Sequence, residues 1–363
     1  MQTSHSKGQT VGDVGEFGLI ERLARLLPQD ARVVEGIGDD CAVLQVGDRK
    51  LLMTCDASIE DVHFRRDTLS PEAVGWRAAA SALSDIAAMG GQPHFVVATL
   101  ACPPDTEVAL LEGIYRGAAN VASRCHATIV GGDVTRSPSG IVLDMAVLGE
   151  AVGARYLTRS GARAGDVVAV TGWPGCSAAG LRTLEQGTGA DELIHAHAYP
   201  LPRVAEGQWL AAQEAARAMI DLSDGLAQDA GHLAESAKLG VDLSPTLLPR
   251  ASALAKHAEA LGVDPTALIL TGGEEYELIV ALDSDCADAL VQRFQAQFDL
   301  PLTIVGRFTD AWAEVYVDGT PSDRLGYQHF AERPGPNPAW SARQQLRAEH
   351  DATKPQCGHC DEE

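Results

Sequence analysis

Short apolar segments of strand character alternate with longer helical segments through most of the chain. The strand-like segments span residues 50–56, 94–101, 128–130, 141–150 and 166–171, and others end at Asp221 or lie near Leu278 and Ile304. Helical segments are predicted over residues 16–27, 70–89 and 106–127, and from Leu226 onward. Alternation of this kind in both halves of a chain predicts a mixed α/β (α+β) fold.

The chain of 363 residues is long enough for about two domains. A basic, Gly-containing stretch at residues 155–165 differs from its surroundings and predicts a boundary near Gly153. We therefore predict a flexible N-terminus at 1–14, an N-terminal domain at 15–152, a C-terminal α/β domain at 153–330 and a flexible polar tail at 331–363. The C-x-x-C pair of that tail, Cys357 and Cys360, is expected to lie in an unstructured extension.

The charge balance narrows the class of protein. A formal net charge of -22 argues against a nucleic-acid partner, which requires clustered Lys and Arg. The N-terminus lacks the apolar core of a signal peptide, and no apolar run reaches bilayer-spanning length, so no membrane association is expected. Six of the eight cysteines are spread singly, as in reduced proteins, which predicts a cytoplasmic location.

Aspartates stand beside glycines or at predicted strand ends in several places. They are Asp39 and Asp40 after Gly38, Asp56, Asp133 after Gly131-Gly132, and Asp221 and Asp224 before Gly225. Such carboxylates are hard to pair, and the glycines cost backbone entropy, so the arrangement is poor for stability. It suits Mg²⁺, which prefers oxygen ligands. The alternative is that Asp and Gly serve only as turn formers.

Asp85 lies in the last turns of an Ala-rich helix that begins at Ser70-Pro71-Glu72 and stops at Gly90. Because the helix has little polar face, we expect a partly buried carboxylate that needs a cation or hydrogen-bond donors. The alternative is a carboxylate that reaches solvent, which the helix dipole would disfavour mildly.

The pattern G-x-x-x-x-G-K-[ST] and the kinase patterns H-R-D and D-F-G are absent from the sequence. The P-loop and protein-kinase modes of phosphate binding are therefore excluded. Clustered magnesium ions are then the natural way for so acidic a protein to hold ATP, because they bridge phosphate oxygens and offset charge. The sequence predicts an ATP-dependent phosphotransferase.

Taken in order, the motifs resemble those of the thiamine-monophosphate kinase family, in the superfamily of aminoimidazole ribonucleotide synthetase and selenophosphate synthetase. The matching stretches lie between about residues 15 and 330 and include Gly36-Ile37-Gly38-Asp39-Asp40, Thr54-Cys55-Asp56, Val62-His63-Phe64, Leu83-Ser84-Asp85, Gly131-Gly132-Asp133, Leu157-Thr158-Arg159, Asp221-Leu222-Ser223-Asp224-Gly225, Gly272-Gly273-Glu274-Glu275 and Gly326-Tyr327-Gln328-His329-Phe330. The resemblance implies a two-domain synthetase-like fold that forms a homodimer through strands of its N-terminal mixed sheet.

The resemblance also implies ATP-dependent phosphorylation of thiamine monophosphate by direct in-line transfer, with several Mg²⁺ ions and no covalent nucleophile. The implied metal-binding residues are Asp39, Thr54, Cys55, Asp56, Asp85, Asp133, Asp221 and Asp224. Those implied for ATP are Tyr115, Gly132, Asp133, Arg159 and Ser223. Those implied for the substrate are His63, Glu274, Glu275 and Tyr327. The resemblance assigns no role to Asp40.

Three positions depart from the family pattern. Cys55 stands for a hydroxyl residue, Asp61 for a glycine and Glu275 for an aspartate. Because a thiol is a poor Mg²⁺ ligand, any contact from Cys55 is expected through its backbone carbonyl. Trp173-Pro174 makes the Gly-rich turn at residues 172–180 bulky, so we expect that turn to be structural, with Ser177 as a helix N-cap.

Structural alternatives remain for four side chains. They are a hydrogen-bonded turn residue for His63, packing for Tyr115 and Tyr327, and a solvated surface charge for Arg159. Two other functions also remain: a synthetase with a different acceptor, such as an amide oxygen or selenide, and a nucleotide-binding maturation or scaffold protein. The first cysteine, Cys41, follows the aspartate pair, which disfavours selenide chemistry, and the complete aspartate set argues against a scaffold.

Overall fold

The computed structural model describes residues 9–153, 155–322 and 326–330. The predicted tail, with Cys357 and Cys360, lies outside the described residues. Helix α1 spans Val11–Ala24 and begins earlier than the predicted residue 16, because Thr10 and Asp13 form a capping box at its N-terminus. The backbone of Gly15 is not helical and interrupts α1 after its first turn.

The first sheet has six strands in the order β1-β2-β3-β6-β4-β5. They are β1 Val33–Glu35, β2 Ala42–Val46, β3 Arg49–Ile59, β4 Gly91–Cys102, β5 Thr128–Arg136 and β6 Val142–Ala151. The β4–β5 pair is parallel and the other pairs are antiparallel. One face of the sheet is covered by helices α2, Pro71–Ala88, and α3, Val108–Arg124. Helix α2 starts as predicted, with the Ser70 hydroxyl accepting a hydrogen bond from the backbone N–H of Ala73.

Two strand ends differ from the prediction. Strand β3 continues through Asp56 to Ile59, and β5 continues through Asp133 to Arg136. Both aspartates therefore lie inside strands and not at their ends. The reason is tertiary, because β6 pairs with β3 as far as Ile59 and β4 pairs with β5 as far as Arg136.

The second sheet has seven strands in the order β13-β12-β9-β11-β7-β10-β8. They are β7 Val167–Thr171, β8 Ala216–Asp221, β9 Gly240–Leu243, β10 Leu278–Leu282, β11 Leu302–Thr309, β12 Val315–Val317 and β13 Thr320–Pro321. The associated helices are α4 Cys176–Gln186, α5 Asp191–Ala198, α6 Val204–Ala211, α7 Leu226–Ser236, α8 Ser252–Leu261, α9 Pro265–Thr271 and α10 Ala287–Gln297. A single turn of 3-10 helix, Arg159–Gly161, precedes β7.

Two hydrophobic cores hold these elements together. One contains Leu83 and Ile86 of α2 together with Leu278 and Val280 of β10, so it joins the first sheet and its helices to one face of the second sheet. The other covers the opposite face of the second sheet and includes Leu233 of α7. The two sheets therefore share a continuous core, which fixes α2 against the end of β8.

Candidate functional site

Three carboxylates from distant parts of the chain converge where α2 meets the second sheet. One oxygen each from Asp40, Asp85 and Asp221 lies within 4.8 Å of the others. Asp40 precedes β2, Asp85 lies in the last turn of α2, and Asp221 ends β8. We call these three residues the acidic cluster. Asp85 is partly buried as predicted, because α2 is enclosed on most of its surface.

Two further predicted residues of β3 border the acidic cluster. Thr54 donates a hydrogen bond of 2.6 Å from its hydroxyl to the Oδ2 of Asp85. Asp56 lies on the same face of β3, two residues further along, and its carboxylate adds to the field at Asp85 and Asp221. The period of two in a strand therefore brings Thr54 and Asp56 to one side, as the sequence predicts.

The acids at this site resist ionisation. Burial raises the pKa of the Asp85 carboxyl well above its usual range, and the carboxylates of Asp221 and Asp56 raise it further. Burial likewise raises the pKa of Asp221 to about 8 and that of Asp39 to about 6, with the Asp40 carboxylate adding to both shifts. A cation would relieve this repulsion. The oxygen donors present here fit a hard divalent cation such as Mg²⁺.

Arg159 lies beside the acidic cluster and is not a solvated surface charge. Its Nη2 is 2.5 Å from the Oδ1 of Asp40, and its backbone N–H donates to the Oδ2 of Asp39 over 3.1 Å. The 3-10 turn before β7 holds it there. The only cationic group in direct contact with Asp40, among the described residues, is thus the predicted ATP-binding arginine.

The loop that follows Asp221 is fixed by a residue that the sequence did not single out. The backbone N–H groups of Ser223, Asp224 and Gly225 donate to one oxygen, the Oδ2 of Asp229, at 3.0, 3.0 and 3.2 Å. Asp229 is buried in the first turn of α7. A single carboxyl therefore sets the conformation of the loop that carries predicted ATP and metal residues.

Tyr327 docks against the same loop through its backbone. Its N–H donates to the carbonyl of Asp224 over 3.0 Å, and its carbonyl accepts from the Nε2 of Gln228 over 2.7 Å. The Tyr327 side chain is 37% exposed, so it is not a core residue. The backbone of Tyr327 is thereby held beside that of Asp224.

A cleft opens to solvent beside Asp56. It is lined by Asp56, Ala57, Ser58, His63, Phe64, Val74, Arg77, Ser81, Glu274 and Tyr276. Two of the predicted substrate residues, His63 and Glu274, therefore share one cavity. The Nδ1 of His63 accepts a hydrogen bond of 3.0 Å from the backbone N–H of Ile59, so the proton of the neutral ring lies on Nε2.

Arg77 is a second residue that the sequence did not single out. It is buried in α2, and its Nη2 lies 2.5 Å from the Oε1 of Glu274. Its Nη1 contacts the backbone carbonyl of His197 and, at 3.2 Å, the Nδ1 of that ring. The sequence signal that could have identified Arg77 is the presence of an arginine within the Ala-rich helix α2. Its role becomes clear only in the folded protein, where Glu274 lies against α2.

Glu275 does not enter the cleft. Its buried Oε1 accepts hydrogen bonds from the backbone N–H groups of Gly175 and Ser177, at 2.8 and 3.0 Å. The N-cap of α4 is Gly175, so the prediction of Ser177 as N-cap was wrong, because the distant Glu275 carboxyl satisfies the helix N-terminus. The turn at residues 172–180 is structural, as predicted.

The sheet separates Cys55 and Asp133 from the acidic cluster. Cys55, Ala146 and Val97 are register partners across three strands, and Asp133 is aligned with Thr99 and Asp144 in the next row on that face. Thr54 and Asp56 occupy the alternate positions and point to the opposite face. Within one chain, the side chains of Cys55 and Asp133 are therefore not brought to the acidic cluster.

Tyr115 and Gly132 meet around the backbone of Ala98. The Tyr115 hydroxyl lies 3.5 Å from the carbonyl oxygen of Ala98, and a Cβ at position 132 would lie 1.8 Å from that same oxygen. Glycine is therefore required for strand pairing at this point. Register places Gly132 three strands from Asp56, a separation of about 14 Å.

The remaining departure, Asp61, is accommodated locally. Its φ is 65°, a left-handed conformation that aspartate tolerates better than most residues. Its N–H donates to the carbonyl of Phe64 over 2.8 Å, which closes the turn that carries His63. The loop thus keeps the left-handed backbone conformation that suits glycine, although residue 61 is an aspartate.

Comparison with known proteins identifies the family to which this chain belongs. The family described as AIR synthase related protein matches with its N-terminal domain over residues 38–151 and with its C-terminal domain over residues 163–318. Thiamine-monophosphate kinase of Mycobacterium tuberculosis is 36% identical over 330 residues, which covers 90% of this chain and 95% of that protein. This chain belongs to the thiamine-monophosphate kinase family.

Further members of the thiamine-monophosphate kinase family agree with this assignment. The enzyme of Escherichia coli K12 is 36% identical over 329 residues, covering 87% of this chain and 98% of that protein. A solved structure described as AaThiL complexed with AMPPCP and TMP has a TM-score of 0.79 and 32% identity, and covers 89% of this chain and 100% of that one. The predicted mixed α/β fold is confirmed.

In the described part of the chain, no helix is both long and apolar enough to cross a bilayer.

Proposed function

We propose that this protein transfers the γ-phosphate of ATP to thiamine monophosphate, giving ADP and thiamine diphosphate. The observation that carries the proposal is the adjacency of the acidic cluster, Arg159 and the cleft that holds His63 and Glu274. The relative described as complexed with AMPPCP and TMP supports both co-substrates. The family relationship makes the protein a phosphotransferase.

We propose that Mg²⁺ is held by carboxylate and hydroxyl oxygens around the acidic cluster. The proposed ligands are Asp39, Thr54, Asp56, Asp85, Asp221 and Asp224, with the backbone carbonyl of Cys55. When bound, Mg²⁺ would offset the negative charge of the phosphate groups during transfer. The mutual repulsion of Asp56, Asp85 and Asp221 supports the assignment.

We propose that ATP binds beside the first sheet, with its phosphates toward the acidic cluster. Tyr115 and Gly132 would contact one end of the nucleotide, and Arg159 and Ser223 would contact the phosphates. The separation of about 14 Å between Gly132 and Asp56 is comparable with the length of a nucleotide triphosphate. The fixed fork of the Arg159 guanidinium suits a phosphate oxygen pair.

We propose that the thiamine monophosphate occupies the cleft beside Asp56. Glu274 would attract the thiazolium cation, the Nε2–H of His63 would donate to a polar group of the substrate, and Tyr327 would stack on a heteroaromatic ring. Glu275 would act only indirectly, by holding α4 against the segment that carries Glu274. Transfer would be direct and in line, without a covalent intermediate.

We propose that the protein is a homodimer whose interface includes the outer face of the first sheet. That face exposes Met53, Phe95, Val97 and Val130, which are 50, 49, 45 and 56% exposed. A sheet face this apolar is typical of a protein–protein contact. Asp133 lies on the same face, so its proposed role in binding ATP and metal would depend on how the second copy closes over it.

Residues 15–152 and 153–330 remain our proposed domains, with Asp221 and Asp224 supplied by the second. We also propose a cytoplasmic location, which is supported by the free thiols of the described cysteines, Cys41, Cys55, Cys102, Cys125, Cys176 and Cys286.

The decisive experiment is an assay of the purified full chain with ATP, Mg²⁺ and thiamine monophosphate. We expect stoichiometric ADP and thiamine diphosphate, measured by chromatography. Parallel reactions with selenide or an amide acceptor should give no phosphorylated product. Absence of thiamine diphosphate from metal-replete, folded protein would refute the proposal. With chirally labelled γ-phosphate, a direct transfer should invert the configuration at phosphorus, whereas a covalent intermediate should retain it.

A further inference from the structure

Arg77 lies in the wall of the cleft beside Asp56, and its side chain is only 5% exposed. Its Nη2 is 2.5 Å from the Oε1 of Glu274, whose side chain is 33% exposed. The buried member of this ion pair therefore holds the accessible one. Because a carboxylate has two oxygens, the contact with Oε1 leaves Oε2 able to accept a hydrogen bond from a ligand in the cleft.

The other side of the Arg77 guanidinium is fixed by α5. Its Nη1 contacts the backbone carbonyl of His197 and lies 3.2 Å from the Nδ1 of that ring. Because arginine offers only hydrogen-bond donors, this Nδ1 is an acceptor and the ring proton lies on Nε2. The Oγ of Ser177, in the first turn of α4, lies 3.1 Å from the same Nδ1. Burial and the nearby guanidinium lower the pKa of His197 well below its usual range, so the ring stays neutral and keeps this acceptor.

The backbone of Glu274 is also fixed. Its N–H donates to the carbonyl of Ser223 over 2.7 Å, and its φ of 60° lies in the left-handed region. A Cβ at Gly273 would lie 2.2 Å from that same carbonyl oxygen, so glycine is required for this close approach. A residue other than glycine keeps a left-handed conformation only where its surroundings hold it. The contacts with Ser223 and Arg77 together determine where the Glu274 carboxylate lies.

We propose that Arg77 is the positioning residue for Glu274 in the binding of the thiazolium ring of thiamine monophosphate. Helices α2, α4 and α5 hold the guanidinium, and the guanidinium orients the Glu274 carboxylate in the cleft. This inference rests on the proposed function and deepens it, because it names the group on which recognition of the cationic ring depends.

A positioning role and a purely electrostatic role for Arg77 predict opposite results. If Arg77 only offset the negative charge of Glu274, its removal would strengthen the attraction for the thiazolium cation and lower the KM. If Arg77 orients the carboxylate, its removal allows the partly exposed Glu274 side chain to turn toward solvent, and the KM rises. The geometry favours positioning, because the planar guanidinium contacts Glu274 and His197 at the same time.

Steady-state kinetics of Arg77→Gln tests the proposal. We expect the KM for thiamine monophosphate to rise about tenfold, as in Glu274→Gln, while the KM for ATP stays near wild type. The double variant should lie within about twofold of Glu274→Gln alone, because both substitutions remove the same interaction. A wild-type or lowered KM in Arg77→Gln would overturn the proposal, as would fully additive effects in the double variant.

Arg77→Lys keeps the positive charge but lacks the planar fork, and it decides the point should Arg77→Gln not fold. It should also raise the KM for thiamine monophosphate, and a wild-type KM would overturn the proposal. Arg217→Gln is the matched control, because Arg217 is a largely buried arginine that pairs with Asp166 and Asp283 and does not line the cleft. It should lower the melting temperature and leave both KM values unchanged. An equal rise in the KM for thiamine monophosphate in this control would show a general loss of stability and overturn the proposal.

Calorimetry separates this inference from the proposed function. Thiamine monophosphate is titrated into the full chain with Mg²⁺ and a non-hydrolysable ATP analogue, so that no turnover is needed. A wild-type chain that binds thiamine monophosphate about tenfold more tightly than Arg77→Gln but forms no thiamine diphosphate would refute only the proposed function. A wild-type chain that forms thiamine diphosphate while Arg77→Gln binds thiamine monophosphate normally would refute only this inference.

Discussion

The hydroxyl of Thr54 donates a hydrogen bond of 2.6 Å to the Oδ2 of Asp85, and this bond joins β3 to the buried end of α2. It is the neutral donor that the protein supplies to an acid otherwise surrounded by acids. This hydrogen bond helps to explain how Asp85 is tolerated in the interior. Because the neighbouring groups are also acids, the stability of the protein depends on what balances the negative charge of the acidic cluster.

Replacing Asp85 by Asn should stabilise the protein in the presence of EDTA and abolish its stabilisation by Mg²⁺. The amide oxygen still accepts from Thr54, while one of the mutually repelling carboxyls is removed. We expect a gain of about 1–3 kcal/mol in the free energy of unfolding. Thermal unfolding with and without Mg²⁺ measures both effects. A variant still stabilised by Mg²⁺ as strongly as wild type would contradict this prediction.

The pKa values predict how stability depends on pH. Burial raises the folded-state pKa of Asp221 to about 8 and that of Asp39 to about 6, above the unfolded value of 3.8. Protonation of these two acids therefore contributes to the free energy of unfolding. The contribution is complete below pH 3.8 and is lost as pH rises through 6 and 8, the folded-state pKa values of Asp39 and Asp221. In EDTA, the melting temperature should fall between pH 5 and pH 9. Because Mg²⁺ requires ionised ligands, its stabilising effect should grow over the same interval. A melting temperature in EDTA that rises with pH would be inconsistent with this account.

Glu274 and Glu275 are neighbours with different expected effects on catalysis. Glu274→Gln should raise the KM for thiamine monophosphate by about tenfold, or 1.4 kcal/mol, because it removes the charge that faces the cleft. The KM for ATP should change little. Glu275→Gln should leave both constants near wild type, because that carboxyl contacts the backbone of α4. Steady-state kinetics on both variants tests the assignment, and equal effects would show that it is wrong.

Asp229 should act through the loop at residues 223–225 and not by contact with substrate. Asp229→Leu leaves three backbone N–H groups without their acceptor and should cost about 1–3 kcal/mol of stability. It should also raise the ATP and Mg²⁺ concentrations needed for half-maximal rate. Asp229→Asn keeps an acceptor oxygen, so this variant should retain most of the wild-type stability and most of the wild-type apparent affinity for ATP and Mg²⁺. If leucine shifted only the melting temperature, Asp229 would be a structural residue alone.

The apolar outer face of the first sheet predicts a dimer that a single charge disrupts. Val97→Asp places a carboxylate in the middle of that face and should yield a monomer in light scattering coupled to size exclusion. Val108→Asp, at an exposed position of α3 away from that face, should leave the dimer intact. A wild-type protein that is monomeric at micromolar concentration would remove the basis for the prediction.

Local signals in the sequence were sufficient for much of the fold. The start of α2 at Ser70-Pro71 follows from capping chemistry and its stop from glycine, and both act within one turn of the chain. The period of two along β3 put Thr54 and Asp56 on one face. Family motifs then indicated which acids belong together, because their order along the chain is distinctive.

The positions of Asp56 and Asp133 inside strands depended on partner strands from elsewhere in the chain, as did the use of Glu275 as the acceptor for α4. The sequence also could not distinguish Asp39 from Asp40, since adjacent identical residues carry the same local pattern. Only the tertiary structure decided that Asp39 holds backbone N–H groups while Asp40 turns one buried oxygen toward Asp85 and Asp221. Propensity and periodicity act over a few residues, whereas burial and the balance of charge are set by groups that folding brings together from distant parts of the chain.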